Sequence, residues 1–432
     1  MSVRAITPQQ QYNFRNLYRD VFWFGVLAGS TMGFIAIYAT RLGASSLQIS
    51  LLTAGPAAFN LIFSLPMGQW LVGRSLASAA FWSAVLQRLG FVLLIPLPLL
   101  IGDQFQVWVI VIFTLVMAIP GTLLAISFNA LLAEVVPPDW RAEVVGKRNA
   151  IVAVSLTTST LLSGQILVRI VFPYNYMIVY VIGAIGAALS TYYLGRINLN
   201  GSLAWHIERP TGGWLRSILE SIHNVFRFRK ADPSPQGNRL TCPNFQKLLH
   251  LDLLRSPFGF FMLSYLLFYT FQYLGIPLFP IYQVRVLNLS DSVISLGNGL
   301  FYAAMFLLSI RIMEISTRLG HRRVLISGAI IFFSYPLLLG LAQGPGLFWV
   351  ASLMGGGAWA LTNAGLTNRL MERVPEQQRP AGMTLHNLAL NLGILAGSLG
   401  APLAANRFGL QPSIFLDAGL RLLAGILFIF WA

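Results

Sequence analysis

A single cysteine, Cys242, stands in 432 residues, which excludes an internal disulfide and any thiolate metal cluster. Acids are scarce as well: 14 Asp and Glu face 29 Lys and Arg, and only 10% of the chain is charged. The net charge of +15 therefore reflects missing acids, and it is no sign of nucleic-acid binding, because the bases fall in short segments between apolar runs. No nucleophile-base pair or metal-ligand spacing occurs in any run or loop, so neither catalysis nor a cofactor is expected. Residues 1 to 18 are polar and carry Arg4 and Arg15, so no cleavable signal is expected there. What fills the chain instead is apolar: 56% hydrophobic residues, 12% aromatic, mean hydropathy +0.68. Such values lie outside the soluble range and predict an integral membrane protein in the lipid bilayer.

An apolar helix needs about 20 residues to cross the hydrocarbon core. Runs of that length begin near Val21, Ile49, Ala77, Gln106, Ala150, Tyr174, Phe258, Val293, Val324, Leu347, Leu385 and Ile414. These twelve predict an all-α membrane protein, divided six and six by a polar stretch from Arg196 to Arg255. The expected organisation is a six-helix bundle over 1–195, a cytoplasmic linker over 196–255 and a second six-helix bundle over 256–432. In the linker Trp214, Leu215, Ile218, Leu219, Ile222 and Val225 recur at helical spacing, predicting an amphipathic helix on the membrane surface with Arg216, Arg227 and Arg229 near anionic lipid.

With a cytoplasmic N-terminus, the opposite face receives Arg41, Arg169, Arg285, Arg407 and Arg421, Arg88 falls inside a span, and every other base is cytoplasmic. The positive-inside bias therefore places both termini in the cytoplasm of a cell's plasma (inner) membrane.

The halves repeat. "IYATRLGASSLQIS" after span 1 matches "IYQVRVLNLSDSVIS" after span 7, pairing Tyr38 with Tyr282 and Arg41 with Arg285 at a spacing of 244. "EVVPPDWRAEVVGKRN" after span 4 matches "ERVPEQQRPAGMTLHN" after span 10, pairing Glu134 with Glu372 and Arg141 with Arg379 at a spacing of 238. Arg74 pairs with Arg318 at 244 again. Matches that keep chain order at equivalent positions predict a duplicated six-helix unit and a pseudo-two-fold axis.

Twelve spans, a six-plus-six repeat and a long linker resemble the major facilitator superfamily. Its turn motif, Gly-x-x-x-Asp-Arg-x-Gly-Arg-Arg, is similar to Met313 to Arg323, where Arg318, Gly320, Arg322 and Arg323 are kept and Thr317 replaces the acid. The first copy retains only Gly68, Gly73 and Arg74. The resemblance implies a central cavity lined mainly by spans 1, 4, 7 and 10. It also offers Arg74, Glu134, Arg141, Arg318, Arg322, Glu372 and Arg379 as a cytoplasmic latch between the halves; a solvated turn obeying the charge bias is the plainer reading of the same residues.

Polar residues near mid-span are the candidates for solute binding. Span 7 gives Tyr269, Gln272 and Tyr273; span 10 gives Trp359 and Asn363; Thr31, Asn60, Asn298 and Asn391 come from spans 1, 2, 8 and 11. Each could instead make an interhelical bond of about 1 kcal/mol. Arg88, eleven residues into span 3, either meets an anionic solute or braces its neighbours. None of the acids is read at mid-span, which leaves proton coupling by a buried carboxylate unsupported.

The function these features predict is movement of a small organic solute, neutral, lipophilic or anionic, by alternating access in a monomer, with efflux preferred to uptake. The alternative is a non-transporting member of the fold that binds a pigment, lipid or protein in assembly or sensing.

Overall fold

The structure is a computed structural model, and it describes residues 6–71, 74–198, 255, 257–374 and 379–431; the linker helix expected around Trp214 lies outside them. Eleven helices among the described residues are long and apolar enough to cross a membrane. In the first half they are α1 (Pro8–Arg41), α2 (Ser46–Leu71), α3 (Leu76–Leu93), α4 (Asp103–Val135), α5 (Pro138–Arg169) and α6 (Tyr174–Gly195). In the second half they are α7 (Phe258–Val286), α8 (Asp291–Ile310), α9 (His321–Leu341), α11 (Gly382–Phe408) and α12 (Leu410–Trp431). Between α9 and α11 runs α10 (Pro345–Arg373), 29 residues whose glycines and polar side chains make it less apolar than the rest. No strand occurs among the described residues.

Local chemistry sets the helix ends. Thr7 caps α1, its hydroxyl accepting from the Gln10 amide while the Gln10 side chain accepts from the Thr7 amide. Ser75 and Ser290 cap α3 and α8 in the same way, by accepting from the amides of Ser78 and Val293. Pro137 and Pro138 separate α4 from α5: the first cannot continue a helix and the second sits at a first helical position, where its missing donor costs nothing. Most of "EVVPPDWRAEVVGKRN" is accordingly the first turns of α5 and not an extended turn. Helices also start earlier than the apolar runs, α1 at Pro8 where the run starts near Val21, because polar helical turns continue beyond the hydrocarbon layer.

The outer surface is apolar. Leu100 (74% exposed), Leu403 (72%) and Phe430 (73%) face outward, an arrangement that suits lipid as the solvent. Inside, close approach relies on small residues: a Cβ on Gly356 of α10 would lie 2.0 Å from the Phe301 carbonyl oxygen of α8.

The packing scheme is the same in both halves, six helices on. In the first, α1 lies against α5 and α6, α4 against α2 and α3, and α3 against α6; in the second, α7 lies against α11 and α12, α10 against α8 and α9, and α9 against α12. The halves meet where α2 lies along α11 and α5 along α8.

Candidate functional site

Three groups of polar and aromatic side chains stand at the inner faces. The first is an aromatic wall. Tyr265, Tyr269 and Tyr273 recur every four residues on α7 and so share one face. Tyr269 lies 4.8 Å from Tyr265 and 6.3 Å from Tyr273 between ring centroids, and meets Trp359 of α10 edge-on at 6.5 Å. Tyr265 shares a 2.9 Å hydrogen bond with the His386 ring of α11. Trp359 packs in turn on Phe332 at 5.6 Å. Tyr273 and Trp359 are half-buried, so the wall keeps an accessible edge. Three of the expected residues therefore come together here, while Tyr265 and His386 join them unforeseen. The signal for Tyr265 in the sequence was the four-residue step back from Tyr269.

The second group bridges the halves. Thr122 of α4 donates to the Asn60 side-chain oxygen at 2.6 Å, and the Asn60 amide donates to Asn391 of α11 at 3.3 Å. Asn391 donates onward to the Asn387 carbonyl at 2.8 Å. Beside this chain Thr53 donates to Ser398 at 2.9 Å, again from α2 to α11.

The third group closes one end. Arg41, the last residue of α1, donates to Asp291 at 2.9 Å and to the Leu289 carbonyl at 2.6 Å in the other half. Tyr176 of α6 donates to the second Asp291 oxygen at 2.9 Å. Arg285 returns the exchange, donating to the Ala44 carbonyl at 2.5 Å. The two arginines paired by the internal repeat thus each cross to the opposite half.

The remaining expected residues lie elsewhere. Arg88 is 6% exposed and inside the first half, donating to the Thr191 hydroxyl at 2.6 Å with the Asp20 carboxylate 3.8 Å away; Ser190 also donates to Asp20 at 2.5 Å. Arg88 thereby joins α1, α3 and α6. Thr31, in the π-helical turn Ala28–Met32, is fully buried, and its hydroxyl lies where a Cβ on Gly183 of α6 would go. Gln272 is 4% exposed, and its carbonyl accepts from Arg421 at 3.0 Å. Asn298 is half-buried, and Asn363 is exposed.

Arg421 corrects the expected charge map. It does not stand on the face opposite the cytoplasm but is 1% exposed within the second half, 2.9 Å from Asp417, with the Phe332 ring 4.6 Å from its guanidinium carbon. Nor are the interiors free of acids: Asp20 and Asp417 are both buried. Each half holds a buried acid-arginine pair, because a lone charge in hydrocarbon would be far costlier than a paired one. Gly275 makes room for the second pair, since a Cβ there would meet the Asp417 carboxylate at 2.2 Å.

The expected latch residues bond within their own halves. Arg141 donates to the Ala133 carbonyl at 3.0 Å, Arg322 to that of Ile429 at 2.6 Å, and Arg318 pairs with Glu314 at 2.7 Å. Glu372 pairs with Arg369 at 2.8 Å, Arg74 lies over the Trp70 ring at 4.3 Å, and Glu134 is exposed. The Arg379 side chain lies outside the described residues.

The family model described as Major Facilitator Superfamily matches residues 261–432, from the aromatic wall of α7 to the C-terminal helix. The likeness to that superfamily in sequence is thus carried by the second half of the chain. Solved structures of transporters share its fold over nearly the full length. A bacterial homolog of the human lysosomal transporter Spinster, in an inward-facing and unoccupied conformation, has a TM-score of 0.68 at 13% identity, covering 99% of this chain and 97% of that one. The xylose transporter XylE from E. coli, inward open, gives 0.66 at 14% identity, covering 98% and 96%. The nucleoside transporter NupG gives 0.61 at 14%, covering 98% and 99%. No curated protein matches the sequence. The chain thus shares its fold with solved transporters along nearly its full length.

Proposed function

We propose that the chain is a member of the Major Facilitator Superfamily and carries a small organic solute across a plasma membrane by rocking its halves about a central site. The chain then has twelve spans, α10 included, arranged as two pseudo-symmetric bundles with both termini cytoplasmic. The observation that carries this reading is the unequal treatment of the two ends. At the Arg41 end the halves are tied together by Arg41, Tyr176, Arg285 and Asp291, whereas Arg141, Arg318, Arg322 and Glu372 at the far end bond within their own halves. That is the pattern of an inward-open state, and the inward-facing conformations of the Spinster homolog and XylE support it.

The solute is received between the aromatic wall of α7 and α10 and the amide bridge of Asn60 and Asn391. Tyrosine and tryptophan faces with neutral amides suit a neutral or lipophilic solute with a ring or apolar face and hydrogen-bonding edges. The neighbours' solutes, a sugar and nucleosides, are of that chemical kind. Both buried carboxylates are matched by arginines inside single halves, so they are spoken for as braces. Efflux is the proposed direction, on the lipophilic lining. Reconstituted protein tested for flux of labelled solutes across these classes decides the matter: flux in the parent that falls on Trp359→Ala supports the reading, and no flux in any class overturns it.

A further inference from the structure

A groove of about 520 Å³ lies on the outer side of the first half, floored by α1 between α5 and α6, away from the aromatic wall. Its apolar walls include Phe22, Trp23, Val26, Leu162 and Ile182. Phe22 (42% exposed) and Leu162 (60%) face outward, so the groove opens toward the bilayer. Along α5 it runs from Val154 to Ile170, about 24 Å at 1.5 Å per residue, which is most of the hydrocarbon thickness. An apolar slot of that length suits an extended hydrocarbon chain.

Polar groups line the α5 wall along its length, from Ser155 to Arg169, and the charged one stands at one end. Ser155 and Ser159 are satisfied by the carbonyls of Val152 and Val26, at 3.2 and 3.0 Å, but Ser163, 1% exposed and one turn further on, has a hydroxyl with no hydrogen-bond partner. Rotation about its χ1 bond suffices to offer that hydroxyl to an occupant. Arg169 closes the groove about 9 Å further along the helix, exposed and without an ion pair among the described residues. Tyr174, 56% exposed, sits just beyond, as tyrosines do at the level of lipid headgroups.

We propose that this groove binds one anionic phospholipid of the surrounding leaflet. An acyl chain lies along α1 and α5, the ester region meets Ser163, and the phosphate meets Arg169. A cation at the interface attracts an acidic headgroup by about 1 kcal/mol, or roughly fivefold. The site stands whether or not the protein carries solute, because it depends only on the fold and the bilayer.

Lipids brominated along the acyl chain test this by quenching Trp23 fluorescence, read as the difference between the full-length protein and its Trp23→Phe variant in nanodiscs. Brominated phosphatidylglycerol is expected to quench at about one-fifth the mole fraction needed for brominated phosphatidylcholine. Arg169→Gln should bring the two curves together while leaving chain quenching in place. Thr158→Phe, which fills the groove, should remove the Trp23 quenching, and the near-isosteric Thr158→Val should keep it. Equal curves for the two lipids in the parent, or quenching unaffected by Thr158→Phe, would reduce the groove to ordinary annular contact and overturn the proposal. Displacement of brominated phosphatidylglycerol by inorganic phosphate alone would also overturn it, by making Arg169 a site for free anions. Variants that lose the parent's thermal transition are replaced by Leu162→Phe, for which the same loss of quenching is expected.

Discussion

Arg41 and Asp291 join the two halves of the protein at 2.9 Å, and Tyr176 holds the other oxygen of the same carboxylate. The Asp291 carboxylate is thus shared by α1 and α6 of one half while it belongs to the first turn of α8 in the other. In the proposed rocking motion, opening this end must break both bonds.

Asp291→Asn or Arg41→Gln should therefore release the closed end. The pair is partly exposed, so about 1 kcal/mol is a fair value for its contribution, equivalent to a roughly fivefold shift toward the outward-open form. Labelling of a cysteine placed at Ala44, which is 1% exposed at the closed end, in a Cys242→Ser background, should rise several-fold in either variant. An unchanged labelling rate would make the ion pair incidental to closure.

Arg88→Met should lower stability and leave the solute site intact. It strands the Asp20 carboxylate in the interior of the first half, at a cost of about 3 kcal/mol or more. Arg88→Met combined with Asp20→Leu should recover much of that loss, because an apolar pair replaces an ionic one. Normal thermal stability with lost solute binding would instead place Arg88 in the site. The same cycle at Asp417 and Arg421 should behave alike, since that pair is buried as deeply.

Trp359→Ala and Tyr273→Ala, at the half-buried edge of the wall, should weaken solute binding with little harm to the fold. An aromatic contact beyond simple area burial is worth about 0.5–1.5 kcal/mol, so KM should rise roughly two- to tenfold with yield preserved. Unchanged KM in both variants would remove the wall from the solute path.

Gly356→Leu should act through packing alone. Its side chain would enter the Phe301 backbone of α8, so folded yield should fall sharply, whereas Gly346→Leu, which meets nothing nearby, should be tolerated.

Eleven of the long apolar helices were legible in the sequence, because lipid imposes long apolar runs. Arg41 and Arg285 are the clearest gain, paired first by spacing and then found crossing to opposite halves. The partner of Arg88 was harder to see. Asp20 precedes the apolar run that starts near Val21, and only the continuation of the helix back to Pro8 carries it inside. Asp417 and Arg421 were each read as end-of-span charges, although their four-residue spacing on one helix is the signal for a buried pair. Tyr265 went unnoticed and His386 reads only as a residue near the start of span 11; their meeting is set by the packing of α7 on α11. Which polar residues turn inward at all, as Thr31 does not, depends on helix rotation that periodicity in a nearly all-apolar run cannot fix.

The central claim is that the halves rock about the inner site, and paired distance measurements at both ends test it most directly. Spin labels at Ser45→Cys with Ser292→Cys report the Arg41 end, and labels at Arg74→Cys with Arg318→Cys report the other, both in Cys242→Ser protein. With Arg41 intact, the first pair should show mainly a short distance and the second mainly a long one. Replacing Asp291 by Asn should add a longer population to the first and a shorter population to the second, in matching proportion. Single, unchanged distributions at both ends would contradict the account.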